Sequence, residues 1–312
     1  MADSKNNGSE SDSHYDLIAI GAGSGGLSVA NRAASYGARC AIIERDEVLG
    51  GTCVNRGCVP KKVMWYGASM GQALKDAEGY GYRVEQQGFD WGALVAKREE
   101  YINGINNWYH TYLAEPKVDV YSGHARLASP NSVQVGDDVL TASHIVLAPG
   151  GAPTVPNVPG AELGMTSDGF FELTEQPRKV AVVGAGYIAV ELAGMLRGFG
   201  SEVSLVLRKQ RALRDFDEML SSILDEQMRS DGIDVVSEIR IRKLEKRDGK
   251  VAVVAEDGRE ISGCDAVIWA IGRHPESADL GLASAGLTTN AHGYIDVDKF
   301  QQTPGRGYLC TR

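Results

Sequence analysis

One arrangement occurs twice in this chain: a short apolar strand, a glycine-rich turn, a helix and a second strand. The first copy is YDLIAI at 15–20, then Gly21-Ala-Gly23-Ser24-Gly-Gly26, an amphipathic helix to about Tyr36, and CAIIE ending at Glu44. The second begins at Lys179 with KVAVVGAG, sets Gly184 and Gly186 ahead of Ala189, runs as a helix to about Phe199, and continues as SEVSLVLR. Glycines at this spacing permit a tight turn, close approach of backbone to a pyrophosphate, and tight helix–strand packing. A carboxylate closing the second strand, here Glu44, can accept a hydrogen bond from a ribose hydroxyl. A glycine-rich turn alone is weak evidence, and a plain turn is the competing reading. The order strand, turn, helix, strand and acid marks the dinucleotide fold. Two copies imply an α/β chain with two Rossmann-like domains and two dinucleotides.

The second copy departs from the first at the position that reads the ribose. Arg208 stands where the acid is expected, and Arg214 follows within the run RKQRALR. A carboxylate there would repel a 2′-phosphate, whereas guanidinium groups bind one through charge-assisted hydrogen bonds. The substitution predicts NADP(H) over NAD(H). The competing reading makes Arg208, Lys209, Arg211 and Arg214 a solvated basic loop.

At 312 residues the chain is long enough for about two domains with real cores. The expected organisation is a disordered polar tail at 1–14, a first dinucleotide-binding domain with the cysteine pair at 15–152, a second dinucleotide-binding domain at 153–272, and a return segment at 273–312 to the first domain, which is thus discontinuous. Helical stretches are expected at 61–77 and about 91–113, a hairpin-rich β segment at 117–148, and another at 238–271. A net charge of −9 argues against nucleic-acid or membrane-surface binding. No apolar run approaches the roughly 18 residues of a membrane helix. The first residues resemble neither a signal nor a transit peptide, so the cytoplasm is the expected setting. Cys40 and Cys264 lie in apolar runs and read as buried inert thiols.

Between these units lies GGTCVNRGCVPKK, residues 50–62. Five residues of regular helix advance ~7.5 Å, beyond the roughly 7 Å Cα separation that a disulfide tolerates. If Cys53 and Cys58 bond, the backbone between them bends, and Gly57 best allows it. Pro60 suits a first helical turn, which would set Cys58 near a helix N-terminus, where a thiolate is favoured. On the residues alone a redox couple, structural cysteines and a metal site all remain open. A zinc site would need further ligands, and no second Cys or His pair stands at ligand spacing.

The whole string, with the following VMWYGA, resembles the active-site segment of the flavin-dependent disulfide reductases of the dihydrolipoamide dehydrogenase–glutathione reductase family, and is most similar to the glutathione reductases. The resemblance covers 15–302. It implies that Gly21, Gly23, Ser24, Gly26, Glu44 and Thr52 contact FAD. It makes Cys58 the sulfur beside the flavin and Cys53 the one that attacks glutathione disulfide, the two forming a redox disulfide. Lys61 would lie beside the flavin with Glu191 as its partner, and Tyr187 would cover the flavin until nicotinamide displaces it. Gly184, Gly186, Ile188, Arg208, Arg214 and Gly272 would hold NADPH. Tyr109 would stand at the disulfide-substrate site, with simple helix packing as its alternative. The implied function is NADPH-dependent reduction of glutathione disulfide by a homodimer, with no metal.

Several positions depart from the family pattern. Ser28 and Asn31 occupy positions where trypanothione reductases carry an acid and Trp, and Asn31 replaces an arginine of some glutathione reductases. Pro149 stands for Thr in an ATGG motif. The family continues past Thr303 with a run similar to TPGVGIFALGD, whose Asp holds FAD, and then an interface domain with a His–Glu pair. This chain reads TPGRGYLCTR. One inserted base after the Pro304 codon converts a coding of the first run into the second followed by a stop. A frameshift is therefore the expectation, beside an alternative exon or a natural short tail. On it the chain lacks the interface domain, is inactive as it stands, and has no redox use for Cys310. The rival readings are a non-catalytic nucleotide-binding remnant and another flavin disulfide reductase of the same family.

Overall fold

The computed structural model describes residues 14–305 and 307–311; the expected tail at 1–14 lies outside them except for His14. In chain order it shows β1 (His14–Ile20), α1 (Ser24–Ser35), β2 (Cys40–Glu44), α2 (Gly51–Asn55), α3 (Cys58–Asp76), α4 (Trp91–Ala114), β3 (Asp119–Ser122), β4 (Ala125–Ser129), β5 (Ser132–Val135), β6 (Asp138–Leu147) and β7 (Gly151–Pro153). Next come β8 (Met165–Thr166), α5 (Ser167–Phe171), β9 (Lys179–Val183), α6 (Tyr187–Gly198), β10 (Glu202–Val206), α7 (Glu218–Ser230) and β11 (Asp234–Val236). The remainder holds β12 (Ile241–Arg247), β13 (Lys250–Ala255), β14 (Glu260–Cys264), β15 (Ala266–Trp269), β16 (Arg273–Pro275) and β17 (Tyr308–Cys310).

These elements form two compact units. The first comprises Met1–Asn55, Asn103–Ala152 and His274–Arg312, the second Arg56–Ile102 and Pro153–Arg273. The division matches the expected first domain of 15–152 plus the return segment except at 56–102. Met64, Ala68 and Trp91 bury themselves in one core with Phe170, Leu192 and Leu196, which assigns 56–102 to the second unit.

In the first unit the sheet order is β3-β2-β1-β6-β5-β4, with β17 also on β6. β1 pairs in parallel with β2 and β6, aligning Ile18 with Ala41 and Ile145. β4, β5 and the start of β6 form an antiparallel meander. Successive strand residues face opposite ways. On β1, Ile18 and Ile20 enter one core while Leu17 and Ala19 enter another, and Ala41/Ile43 and Cys40/Ile42 divide likewise on β2. Both sheet faces are therefore covered, as near-continuous apolar strands require.

The second unit repeats this design with a parallel sheet, β11-β10-β9-β15-β8. Val180 and Val182 of β9 pack on one face, Ala181 and Val183 on the other. An antiparallel sheet β12-β13-β14 accompanies it. α7 forms between 215 and 237, a stretch with no expected element. The Asp217 carboxylate caps it by accepting from Met219 N at 2.9 Å. Regular α3 also starts at Cys58, ahead of the expected 61. The fold is mixed α/β with two Rossmann-like sheets, and both units are discontinuous in sequence.

Candidate functional site

In the first unit β1 ends in a turn that side chains would obstruct. Gly21 has φ +100, and a Cβ there would lie 2.2 Å from the Ala148 carbonyl oxygen. A Cβ on Gly26 would lie 1.8 Å from the Gly21 oxygen, so α1 sits directly against the turn. Gly23 is the N-cap of α1 and offers no side-chain cap, while Ser24 is exposed on the first helical turn. The N–H groups there remain available to an anion such as a pyrophosphate. The nearest backbone to a Gly23 Cβ would be Gly51 Cα, at 3.8 Å. Glu44 is buried and more committed than expected: Oε2 accepts from Ala22 N at 2.7 Å, and Oε1 from Arg45 N at 2.8 Å and Asp46 N at 3.0 Å. With about four lone-pair sites, the carboxylate retains room for a ribose hydroxyl. These residues fit the diphosphate and ribose of a dinucleotide.

The segment after Glu44 is held by two asparagines that sequence reasoning did not single out. Asn106 donates to the Leu49 carbonyl at 2.7 Å and to Asn55 Oδ1 at 3.0 Å. Asn55 in turn donates to the Leu49 and Gly51 carbonyls, each at 3.0 Å. Between them α2 carries exposed Thr52 and half-buried Cys53. No motif marks Asn106, which lies on the buried face of α4 with Arg98, Ile102 and Leu113. Tyr109 faces this region from α4. Burial raises its phenol pKa, with smaller contributions from Cys53 and Tyr112, so the hydroxyl keeps its proton. Tyr109, Tyr112 and Trp108 form an aromatic cluster, Trp108 and Tyr112 having ring centres 4.8 Å apart. Asn31 is tied to this cluster, donating to the Tyr112 carbonyl at 2.7 Å.

In the second unit Cys58 is exposed at the start of α3 behind its N-cap Gly57, and Pro60 and Lys61 share the first turn. Lys61 Nζ meets Glu191 Oε1 at 2.8 Å, joining α3 to α6. The glycine turn repeats the geometry of the first. Gly184 has φ +147, and its Cβ would lie 2.1 Å from the Ala270 oxygen. Gly186 is the N-cap of α6, and a Cβ there would meet nothing within 4 Å, leaving open space over the first turn. Tyr187 stands exposed on that turn, while Ile188 and Ala189 pack toward the core. Gly272, with φ +133, accepts from Thr154 N at 2.9 Å through its carbonyl.

Beyond β10 a cavity of about 690 Å³ is lined by Arg208, Lys209, Arg211, Arg214 and Arg240, with Phe216 among its walls. Leu213 N donates to the Ala185 carbonyl at 2.8 Å, fixing the arginine loop to the glycine turn. Arg211 is engaged by Ser222 and by Glu218, the latter at 3.2 Å, and Arg214 approaches Asp215 at 3.6 Å. Arg208 is exposed to the cavity. Among the described residues no group of three or more His, Cys, Asp or Glu could hold a metal ion, and no helix is long and apolar enough to cross a membrane.

The pyridine nucleotide-disulphide oxidoreductase family model matches residues 15–307. Glutathione reductase of Schizosaccharomyces pombe is 43% identical over 299 residues, covering 93% of this chain and 64% of that protein. Glutathione reductase of Yarrowia lipolytica is 43% identical over 307 residues, covering 93% of this chain and 65% of its own length. Among solved structures, the HOCl-induced flavoprotein disulfide reductase RclA of Escherichia coli matches with TM-score 0.85 at 27% identity, over 95% of this chain and 65% of that one. The chain thus spans a little under two-thirds of the length of these relatives.

Proposed function

The chain belongs to the pyridine nucleotide-disulphide oxidoreductase family, and on that footing we propose that it acts in NADPH-dependent reduction of glutathione disulfide through a Cys53–Cys58 couple. The family uses FAD and NADPH. The first glycine turn, with Glu44, Ser24 and Thr52, would hold FAD, and the second, with Ile188, Gly272, Arg208 and Arg214, would hold NADPH. Bound FAD supplies a two-electron relay between the nicotinamide and the protein disulfide. The single observation that carries the reading is the first turn of α3, where Cys58 and Lys61 sit together and Lys61 is held at 2.8 Å by Glu191.

The chain's own residues then perform thiol–disulfide exchange. Cys53 Sγ, as thiolate, attacks one sulfur of glutathione disulfide, forming a mixed disulfide and expelling one glutathione thiolate. Cys58 Sγ attacks the Cys53 sulfur, expels the second glutathione and leaves Cys53 and Cys58 bonded. Two electrons from NADPH return that pair to thiols, so each turnover consumes one NADPH and one proton and yields two glutathione thiols. Tyr109, protonated because burial raises its pKa, can donate a hydrogen bond near the exchanging sulfurs.

The test is the purified chain supplied with FAD, assayed with NADPH or NADH against glutathione, trypanothione and lipoamide disulfides. NADPH-driven reduction of glutathione disulfide, largely lost to NADH and in Arg208→Glu, supports the reading. Preference for another disulfide moves the protein within its family. Nucleotide binding without disulfide reduction matches the expectation that the chain is inactive as it stands, and failure of Cys53 to form a mixed disulfide with glutathione as well favours a non-catalytic role.

A further inference from the structure

We propose that Arg240 is a further specificity-determining residue for the 2′-phosphate of NADPH, supplying a guanidinium from outside the glycine-turn motif. The inference rests on reading the cavity beyond β10 as the 2′-phosphate site. Arg208 is the expected anion contact there, and the sequence offers no reason to join Arg240 to it, since it lies beyond α7 and β11. The backbone brings the two together. β10 and β11 are parallel, with Val206 opposite Val236. Past their ends Leu207 N donates to the Val236 carbonyl and Ile239 N to the Leu207 carbonyl, both at 2.9 Å. Glu238 between them has φ +59, a left-handed corner uncommon for a residue with a side chain. Leu207 and Ile239 are both buried. In extended backbone the following residues turn the other way, and Arg208 and Arg240 are indeed both exposed and both line the cavity.

The charges around them favour an anion. Glu218 is already engaged by Arg211, and Asp257 by Arg259 at 2.7 Å. Glu238 and Glu256 also line the cavity, and Glu256 N donates to the Arg240 carbonyl at 2.8 Å. The competing role for Arg240 is therefore to offset those two carboxylates with no contact to ligand. The two roles differ in selectivity. A residue that touches the 2′-phosphate changes affinity only for ligands that carry one, whereas a residue that balances local charge changes affinity for any anionic nucleotide.

The experiment is calorimetric titration of the whole chain with adenosine 2′,5′-bisphosphate and with adenosine 5′-monophosphate, for wild type, Arg240→Ala, Arg240→Lys and Arg208→Glu. Arg240 is exposed, so its variants should fold like wild type, which circular dichroism checks. Arg240→Ala is expected to weaken the bisphosphate by about tenfold, one charge-assisted hydrogen bond, and to leave the monophosphate unchanged. Arg240→Lys should recover part of that loss, because it keeps the charge without the planar fork. Equal weakening of both nucleotides, or none, overturns the proposal. If Arg208→Glu removes selectivity for the bisphosphate while Arg240→Ala preserves it, Arg240 alone is excluded. If wild type binds both nucleotides equally and Arg208→Glu changes neither, the 2′-phosphate reading of the cavity fails as well.

Discussion

Lys61 Nζ and Glu191 Oε1 lie 2.8 Å apart although the residues belong to helices far apart in sequence. The contact fastens the turn that bears Cys58 to the helix that rises from the second glycine turn. On sequence alone each would be an ordinary surface charge. Roughly a quarter of the lysine side chain and a third of the glutamate remain exposed, so water screens the attraction. Pairs in such settings contribute about 1 kcal/mol or less.

Glu191→Gln should accordingly lower unfolding free energy in urea by no more than about 1 kcal/mol. If the proposed function holds, its effect on NADPH-driven disulfide reduction should be much larger, because it frees the lysine beside Cys58. A stability loss of several kcal/mol with proportionate loss of activity would make the pair a fold element only.

The two cysteines are not interchangeable in this geometry, since Cys53 is half-buried on α2 and Cys58 exposed at the head of α3. Mixing the reduced Cys58→Ser chain with glutathione disulfide should trap one glutathione on Cys53, visible as a mass increase reversed by dithiothreitol. Cys53→Ser should trap none at that pair. The opposite pattern would exchange the two roles.

The glycine turns and the strands that feed them were legible because each rests on local chemistry: positive φ and period-two burial. What escaped the sequence was tertiary. Asn106 and Asn55 act by tying down the Leu49 carbonyl, and nothing in either residue's neighbourhood announces that partner. Segment 56–102 joined the second unit because Met64 and Trp91 found the Phe170 core, which apolar patterning cannot foretell. α7 was missed for a different reason. Its amphipathic pattern and its Asp217 cap are both present in the sequence, so this helix was legible and simply not read.

Alkali should destabilise the first unit through its buried tyrosines. Burial raises the Tyr308 phenol to about 12, and Tyr15, hydrogen-bonded to Tyr121 and Asp119, is raised as well. In the unfolded chain both ionise near pH ~10. Below that pH each hydroxyl is protonated in both states, and the stabilisation is fully present. As pH rises from 10 toward 12 the unfolded chain loses these protons first, so stability falls by up to about 1.4 kcal/mol per pH unit for each group. Tyr308→Phe also removes the hydrogen bond to the Ser129 carbonyl at 3.0 Å. It should be less stable at neutral pH yet show a shallower alkaline limb in urea titrations. A limb of unchanged slope would mean that Tyr308 ionises as freely folded as unfolded.

Gly184 and Gly186 belong to one motif but should respond oppositely to the same change. At Gly184 an alanine would have to adopt φ +147 with its methyl 2.1 Å from the Ala270 oxygen. Neither strain nor overlap can relax without parting β9 from β15, whose register joins Val183 to Trp269. Gly184→Ala should therefore cost several kcal/mol or prevent the second unit from folding, in line with other strained-backbone and overpacking changes. Gly186 has φ −86 and ψ 178, extended backbone open to any residue, and its added methyl would project into empty space. Loss of chain entropy in the unfolded state favours alanine there by about 0.4–1 kcal/mol, and its poorer N-capping offsets a similar amount. Stability should then stay within about 1 kcal/mol of wild type. The same empty space is where a pyrophosphate would approach the N–H groups of α6, so the methyl that the fold ignores should exclude the ligand. Urea unfolding and NADPH titration on the two variants separate these effects: Gly186→Ala should fold normally and lose most of its nucleotide affinity. If it binds NADPH as wild type does, the phosphates do not lie over the first turn of α6.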